Sequence, residues 1–261
     1  MLLPNRVRAL TGRGEAALGC WLFMASASNA ELLSHVGFDA LIVDLEHSPG
    51  GLGEAVGQMR AAGGRPDGPA LFVRVPGAAS HQIKPLLDAG AEGVMAPTVE
   101  SAEEVAALVS ATRYPPHGTR GLHYTVSRAA HWGAATADYP AHAASQIMTI
   151  AMIESAKGVT AIPEMAAVPG IDMFFIGPLD LSASIGVAGD YQAPEFRDLW
   201  DEAERRVLES GVLLGGTILP GHPAPRLIDR GYRFVTVGAD ASFLRNAASA
   251  ALAMPGVSGD D

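Results

Sequence analysis

The amino-acid sequence predicts an α/β protein of the (β/α)8 barrel class, folded as one domain over residues 1–261. Three observations carry this. Eight short runs rich in apolar and β-branched residues recur along the chain, helical stretches separate them, and no low-complexity linker or shift in composition divides the 261 residues. Strands alternating with helices imply a parallel sheet, and eight such units close a barrel of about this length.

The strand-like runs, in order, are GCWLF near 19–23, ALIVDL near 40–45, ALFVRV near 70–75 and GVMAPT near 93–98. MTIAMIE near 148–154, MFFIG near 173–177, VLLGGT near 212–217 and FVTVG near 234–238 complete the set. Between them, the spacing predicts a helix over 101–113, where Ser101 and Glu104 stand at capping-box positions. A second helix over 193–210 ends at Gly211, which suits a left-handed C′ position. The longest stretch without a strand, 114–147, reads as a βα insertion acting as a lid or binding loop. Residues from about 255 to 261 have no apolar period and read as a frayed tail.

Composition narrows the function classes. A net charge of −10 opposes a nucleic-acid surface, which needs clustered Lys and Arg. No apolar run is long enough to span a bilayer, and the basic start MLLPNRVRALTGRGE lacks the apolar core of a secretory signal, so a cytoplasmic protein with small-molecule partners is expected. The single Cys20 precludes an intrachain disulfide. No phosphate-cradling or dinucleotide glycine pattern is present, and the two lysines, Lys84 and Lys157, fall in helical segments.

If the barrel forms, the carboxyl ends of the strands converge on one face. That face collects Asp44, Glu46 and His47 after the second strand, Arg74 on the third, Glu154 after the fifth and Asp180 after the sixth. Two carboxylates from different strands suit a hard divalent cation such as Mg2+ or Mn2+, with substrate and water completing its shell. Arginine offers a fork for a substrate carboxylate, and a histidine beside an aspartate offers an oriented base. Together they favour proton or carbon-bond chemistry next to a 2-oxo acid, with the metal stabilising an enolate. Bland roles remain open residue by residue: Glu154 also fits a helix N-terminal acid, Asp180 an N-cap, and His47 a structural histidine.

The motifs D-x-E-H at 44–47, RYPPHGTRG at 113–121, IESAKG at 153–158 and IGPLDLS at 176–182 resemble the metal-dependent, class II pyruvate aldolases. Those enzymes act on 4-hydroxy-2-oxo acids, such as 4-hydroxy-2-oxoheptanedioate, and on 2-keto-3-deoxy sugar acids. The resemblance covers nearly the whole chain. It implies a phosphoenolpyruvate/pyruvate-type barrel whose C-terminal helix is exchanged between subunits, in homo-hexamers built as trimers of dimers. It further implies Glu154 and Asp180 as ligands of Mg2+, Mn2+ or Co2+, Arg74 as the carboxylate clamp, and His47 as the base acting through a water at the metal. By the same resemblance Asp44 orients His47, Glu46 binds water around the metal, Gly177 and Pro178 contribute to the oxo-acid site, and Asp88 is lent by a neighbouring subunit. The chain departs from the pattern at Met152, where relatives commonly carry glutamine, and at His123 and Tyr124, where small residues are usual. These two polar residues are expected to line the aldehyde side, which brings hydroxypyruvate and small hydroxyaldehydes in as candidate substrates beside pyruvate. Two other readings are a citrate-lyase-like acyl-CoA lyase and a non-catalytic, metal-stabilised binding protein.

Overall fold

The computed structural model describes residues 2–77 and 80–253, so the tail expected at 255–261 lies outside the described residues. Eight parallel strands close into a barrel in sequence order. They are β1 Ala17–Leu22, β2 Ala40–Asp44, β3 Ala70–Arg74, β4 Gly93–Ala96, β5 Met148–Ile153, β6 Met173–Ile176, β7 Leu213–Thr217 and β8 Phe234–Ala239. All eight predicted runs are therefore strands, and β1 pairs with β8 to complete the closure.

Side chains alternate along each strand, so every second residue points into the barrel. One interior set takes Trp21, Ile42, Phe72, Ile150, Phe175 and Phe234, while the intervening residues pack outward against the helices. The rings fit because the sequence places glycine opposite them. A Cβ at Gly93 would come 2.6 Å from the Phe72 ring, and one at Gly19 would come 2.7 Å from that of Phe234. Continued upward, the same parity carries Asp44, Arg74, Glu154 and Gly177 to the top of the interior.

The outer layer is α2 Ala27–Ser34, α3 Leu52–Ala62, α4 Ser80–Ala89, α5 Ala102–Thr112, α7 Ala156–Ala166, α9 Pro194–Ser210 and α10 Ala224–Asp229, with the short α8 Pro178–Ser184 after β6. Ser101 caps α5 as expected, its hydroxyl accepting from the Glu104 N–H, but the Glu104 carboxylate accepts from Glu100 N–H instead of closing the box on Ser101. Gly211 ends α9 at φ 76°. The last helix, α11 Asp240–Leu252, buries only Asp240, and its Leu244 and Leu252 stand 60% and 74% exposed. Among the described residues no helix is long and apolar enough to cross a membrane.

The segment 114–147 corrects its expected placement. It leaves α5 and enters β5 at the amino end of the strand, so it is an αβ connection on the floor of the barrel, not a βα loop at the mouth. Chain polarity decides this, because α5 runs antiparallel to the strands and delivers the chain to the floor. The segment carries a 3-10 turn at Arg128–Gly133 and the helix α6 Tyr139–Gln146.

Acids at the floor tie strands together. Asp39, Glu92 and Asp172 accept the N–H groups of Leu18, Leu71 and Thr149 on the neighbouring strands at 2.8–2.9 Å. The N-terminal helix α1 Arg6–Thr11 lies across this end, with Val7 fully buried, and its Arg6 and Arg8 pair with Asp39 and Asp172 at 2.7 Å. Glu92 receives no such cation among the described residues, and burial pushes its carboxyl up to about 7. A carboxyl raised in the folded state favours the fold below its unfolded pKa and loses that contribution as pH rises through about 7. Glu92→Gln keeps an acceptor for Leu71 without the buried charge. Its stability gain should be on the order of 1–2 kcal/mol at pH 8 and vanish near pH 4, as read from urea unfolding at both values.

Candidate active site

The stretch that ends β2 folds on the Asp44 carboxylate. Asp44 is fully buried and accepts the backbone N–H groups of Glu46, at 3.2 Å, and His47, at 2.9 Å. An aspartate that caps its own turn in this way bends the chain out of the strand. Asp44 therefore holds the backbone of His47 and makes no hydrogen bond to its ring. The imidazole itself projects outward, 63% exposed, with its Nε2 3.6 Å from the Glu46 carboxylate.

Arg74 ends β3 in register with Asp44 on β2. Its Nε donates to Asp44 at 2.6 Å and its Nη1 stands 3.0 Å from Glu46, while Nη2 meets no acceptor among the described residues. The guanidinium lies 4.6 Å from the centre of the Trp21 ring, and Trp21 stacks on Phe23 at 5.6 Å. Trp21 is pinned in turn by its Nε1–H donating to Thr236 at 3.1 Å. A buried cation on an indole face gains a cation–π attraction besides its ion pairs. Trp21 and Phe23 are site residues that sequence reading misses: aromatics ending an apolar strand look like core, and only their parity, shared with Asp44 and Arg74, could have flagged them.

Glu154 follows β5, 4% exposed. Its Oε1 accepts the Thr98 N–H at 2.6 Å and the Thr98 hydroxyl at 2.9 Å. Burial raises its pKa, the Thr98 bonds oppose this, and the charges of Asp180 and Glu46 raise it further. The three carboxylates are thus near enough to repel. Asp180 sits exposed in the first turn of α8, beside Tyr191, whose phenol is raised first by burial and then by Asp180. Gly177 is required for space, since a Cβ there would come 2.5 Å from Glu154 Oε2. Its own N–H donates to Ile153 O, so the amides with no intrahelical acceptor at this turn are those of Leu179 and Asp180, Pro178 having none to offer.

At this mouth four carboxylates, those of Asp44, Glu46, Glu154 and Asp180, gather beside one arginine, Arg74, which pairs with the first two. Glu154 Oε2 accepts from no protein donor among the described residues. An excess of oxygen donors with one unclaimed oxygen fits a hard divalent cation, for which two carboxylates and small ligands suffice. Among the described residues no set of three or more His, Cys, Asp or Glu forms a metal cage.

Three predicted site residues lie elsewhere in the protomer. Asp88 is at the floor end of α4, held by the buried Arg120 at 2.8 Å, and His123 and Tyr124 belong to the floor segment after α5. None can reach Glu154 of its own chain. Met152 is buried in the barrel interior below Gly177, its methyl 3.4 Å from where a Cβ at 177 would stand.

The sequence profile of the HpcH/HpaI aldolase/citrate lyase family matches residues 17–247. The chain belongs to this family. It is 40% identical over 257 residues to a hydroxypyruvate/pyruvate aldolase of Delftia acidovorans, covering 97% of this chain and 93% of that one. It is 37% identical over 248 residues to the 4-hydroxy-2-oxo-heptane-1,7-dioate aldolase of Escherichia coli, covering 95% and 94%. In structure it resembles an HpcH/HpaI aldolase/citrate lyase family protein from Burkholderia cenocepacia, with a TM-score of 0.84, 36% identity, and coverage of 91% and 93%.

For this HpcH/HpaI family member, the pairing of Arg74 with Asp44 has a testable energetic consequence. Arg74→Ala strands a fully buried carboxylate and should cost about 3–5 kcal/mol in urea unfolding. Arg74→Lys should lose less, because an ammonium can still face Asp44 but cannot span to Glu46.

Proposed function

We propose that the protein is a cytoplasmic, divalent-metal-dependent aldehyde-lyase that reversibly joins pyruvate or hydroxypyruvate to an aldehyde, giving a 4-hydroxy-2-oxo acid. The observation that carries this is the meeting, at one barrel mouth, of a carboxylate pair with an unclaimed oxygen, an arginine with a free Nη2, and an exposed histidine. The relatives' names support the aldol reaction and leave the acyl-CoA reading unfavoured.

A cation held by Glu154 and Asp180, when bound, supplies the positive charge that stabilises the oxyanion developing on the 2-oxo acid. Arg74 Nη2 faces the substrate carboxylate, and the ion pairs to Asp44 and Glu46 keep the guanidinium plane from rotating. In cleavage, His47 accepts the proton of the 4-hydroxyl, directly or through one water. The C3–C4 bond then breaks, its electron pair remaining on C3 as the enolate while the aldehyde leaves. The same proton returns to C3 and completes pyruvate. Trp21 and Phe23 wall the site beside Arg74 and keep bulk water from the enolate.

The test is an assay of donors and aldehydes after chelation, with Mg2+, Mn2+ or Co2+ restored in turn. Activity should vanish on chelation and return with metal, and Glu154→Gln or Asp180→Asn should demand far more metal. His47→Ala should slow exchange of the pyruvate methyl protons by roughly 10²-fold or more while donor affinity holds, since Arg74 remains. Wild-type exchange in that variant would place the base elsewhere.

Assembly completes the proposal. Leu32 on α2, Val36 just after it, and Leu244 and Leu252 on α11 are 60–74% exposed, which suits exchange of α11 between two copies. In a hexamer, the floor of one protomer would bring Asp88, His123 and Tyr124 to the mouth of another. Leu244→Lys should lower the mass measured by light scattering. An unchanged mass in that variant would remove α11 from the interface.

A further inference from the structure

Thr98, in the turn from β4 to α5, has φ +47°. A β-branched residue in this left-handed region is an outlier, and the residue is exposed, so core packing does not hold it there. Strain of this kind persists where the surroundings over-determine it, commonly at ligand clamps. The turn that Thr98 makes directs both of its donors, N–H at 2.6 Å and Oγ1–H at 2.9 Å, onto the same atom, Glu154 Oε1. The next residue ties the turn down, with Val99 N–H donating to Met152 O at 3.2 Å just beyond the Ala96–Ala151 register of β4 and β5. Glu154 Oε2, by contrast, has no protein donor among the described residues and stands over Gly177, where any Cβ would come within 2.5 Å.

We infer that Thr98 is a positioning residue that claims one oxygen of Glu154 so that the carboxylate offers the divalent cation only the other. This rests on the metal-dependent reading of the site. A carboxylate whose Oε1 is held by two hydrogen bonds from Thr98 is already turned so that Oε2 meets the cation, whereas one without the Thr98 hydroxyl must be ordered as the metal binds, which costs affinity. The strained backbone is what permits a single residue to supply both donors. Glycine would relax the turn but remove the hydroxyl.

Binding of Mn2+ to the chelator-stripped full-length protein, followed by calorimetry and by the EPR signal of free Mn2+, tests this without reference to activity. Thr98→Val keeps the branch and the backbone donor and should weaken Mn2+ about 10-fold to 100-fold, whereas Thr98→Ser should bind within about threefold of the parent. Thr98→Gly should also bind weakly, although its Tm should equal or exceed that of the parent because the φ strain is gone. That split separates positioning from a merely structural role, for which glycine would be the better residue. Parent-like Mn2+ affinity in Thr98→Val or Thr98→Gly, with Glu154→Gln still weak, would overturn the role of Thr98 and leave the metal site standing. Parent-like affinity in Glu154→Gln would overturn the metal site itself and this inference with it.

Discussion

A guanidinium buried at the tip of one strand against a carboxylate buried at the tip of the next organises the mouth of this barrel. Asp44 and Arg74 are in register on β2 and β3, 0% and 6% exposed, and removing either would strand the other's charge in the barrel. Much of the site geometry follows from that pair. With Oδ1 occupied by Arg74, Asp44 Oδ2 takes the His47 N–H and turns the chain outward, which puts the imidazole into solvent at the rim. With its Nε and Nη1 committed to acids, Arg74 presents a flat face to Trp21 and one free nitrogen to the pocket. The Arg74–Asp44 pair thus fixes the directions of both the guanidinium and the turn that carries His47.

Acids gather at both ends of the barrel, and the two ends resolve them differently. On the floor, Asp39 and Asp172 each receive an arginine from α1, and the charges are settled within the protein. Glu92, left without one, responds by a raised pKa. At the mouth, the charges of Asp180 and Glu46 add to the rise in the Glu154 pKa, and Arg74 is shared between Asp44 and Glu46. Burial is the larger cause of that rise, and the two hydrogen bonds from Thr98 oppose it without cancelling it. Unlike the floor, the mouth leaves Glu154 Oε2 and Asp180 without a protein cation among the described residues, and the proposed metal site rests on this excess of oxygen over positive charge.

How much of this was legible in the sequence depends on the range of the interaction. The eight strands follow from local apolar patterning, and their alternation alone brings Asp44, Arg74 and Glu154 to the interior at the top, because Ile42, Phe72 and Met152 lie two residues before them on the same face. The placement of 114–147 was misread because an apolar gap does not say which end of the barrel it spans. Counting the helix at 102–112 before it, so that the segment runs from helix to strand, would have put it on the floor. Thr98 was not legible at all. It meets Glu154 from 56 positions away, and its left-handed turn leaves no mark in residue type, since the preference there is for glycine or asparagine.

The misread segment also bears on how many chains the reaction needs. Arg120 is fully buried and spends its one carboxylate contact on Asp88, and its guanidinium lies 4.5 Å from the Tyr114 ring. So rigid a support holds Asp88 at the floor, 23% exposed on its outer side. A barrel separates that face from Glu154 and Asp180, and no loop motion carries a residue on α4 from one end of the barrel to the other. If Asp88 takes part in the chemistry, it does so in another protomer, where a floor packs on a mouth. The exposed Leu122 and Val126 flank His123 and Tyr124 on that same floor segment, at 65% and 52%. Exposed apolar residues on the same floor as a half-buried, arginine-backed acid are the kind of surface that a second subunit covers, so catalysis and assembly would then be lost together when that face is disrupted.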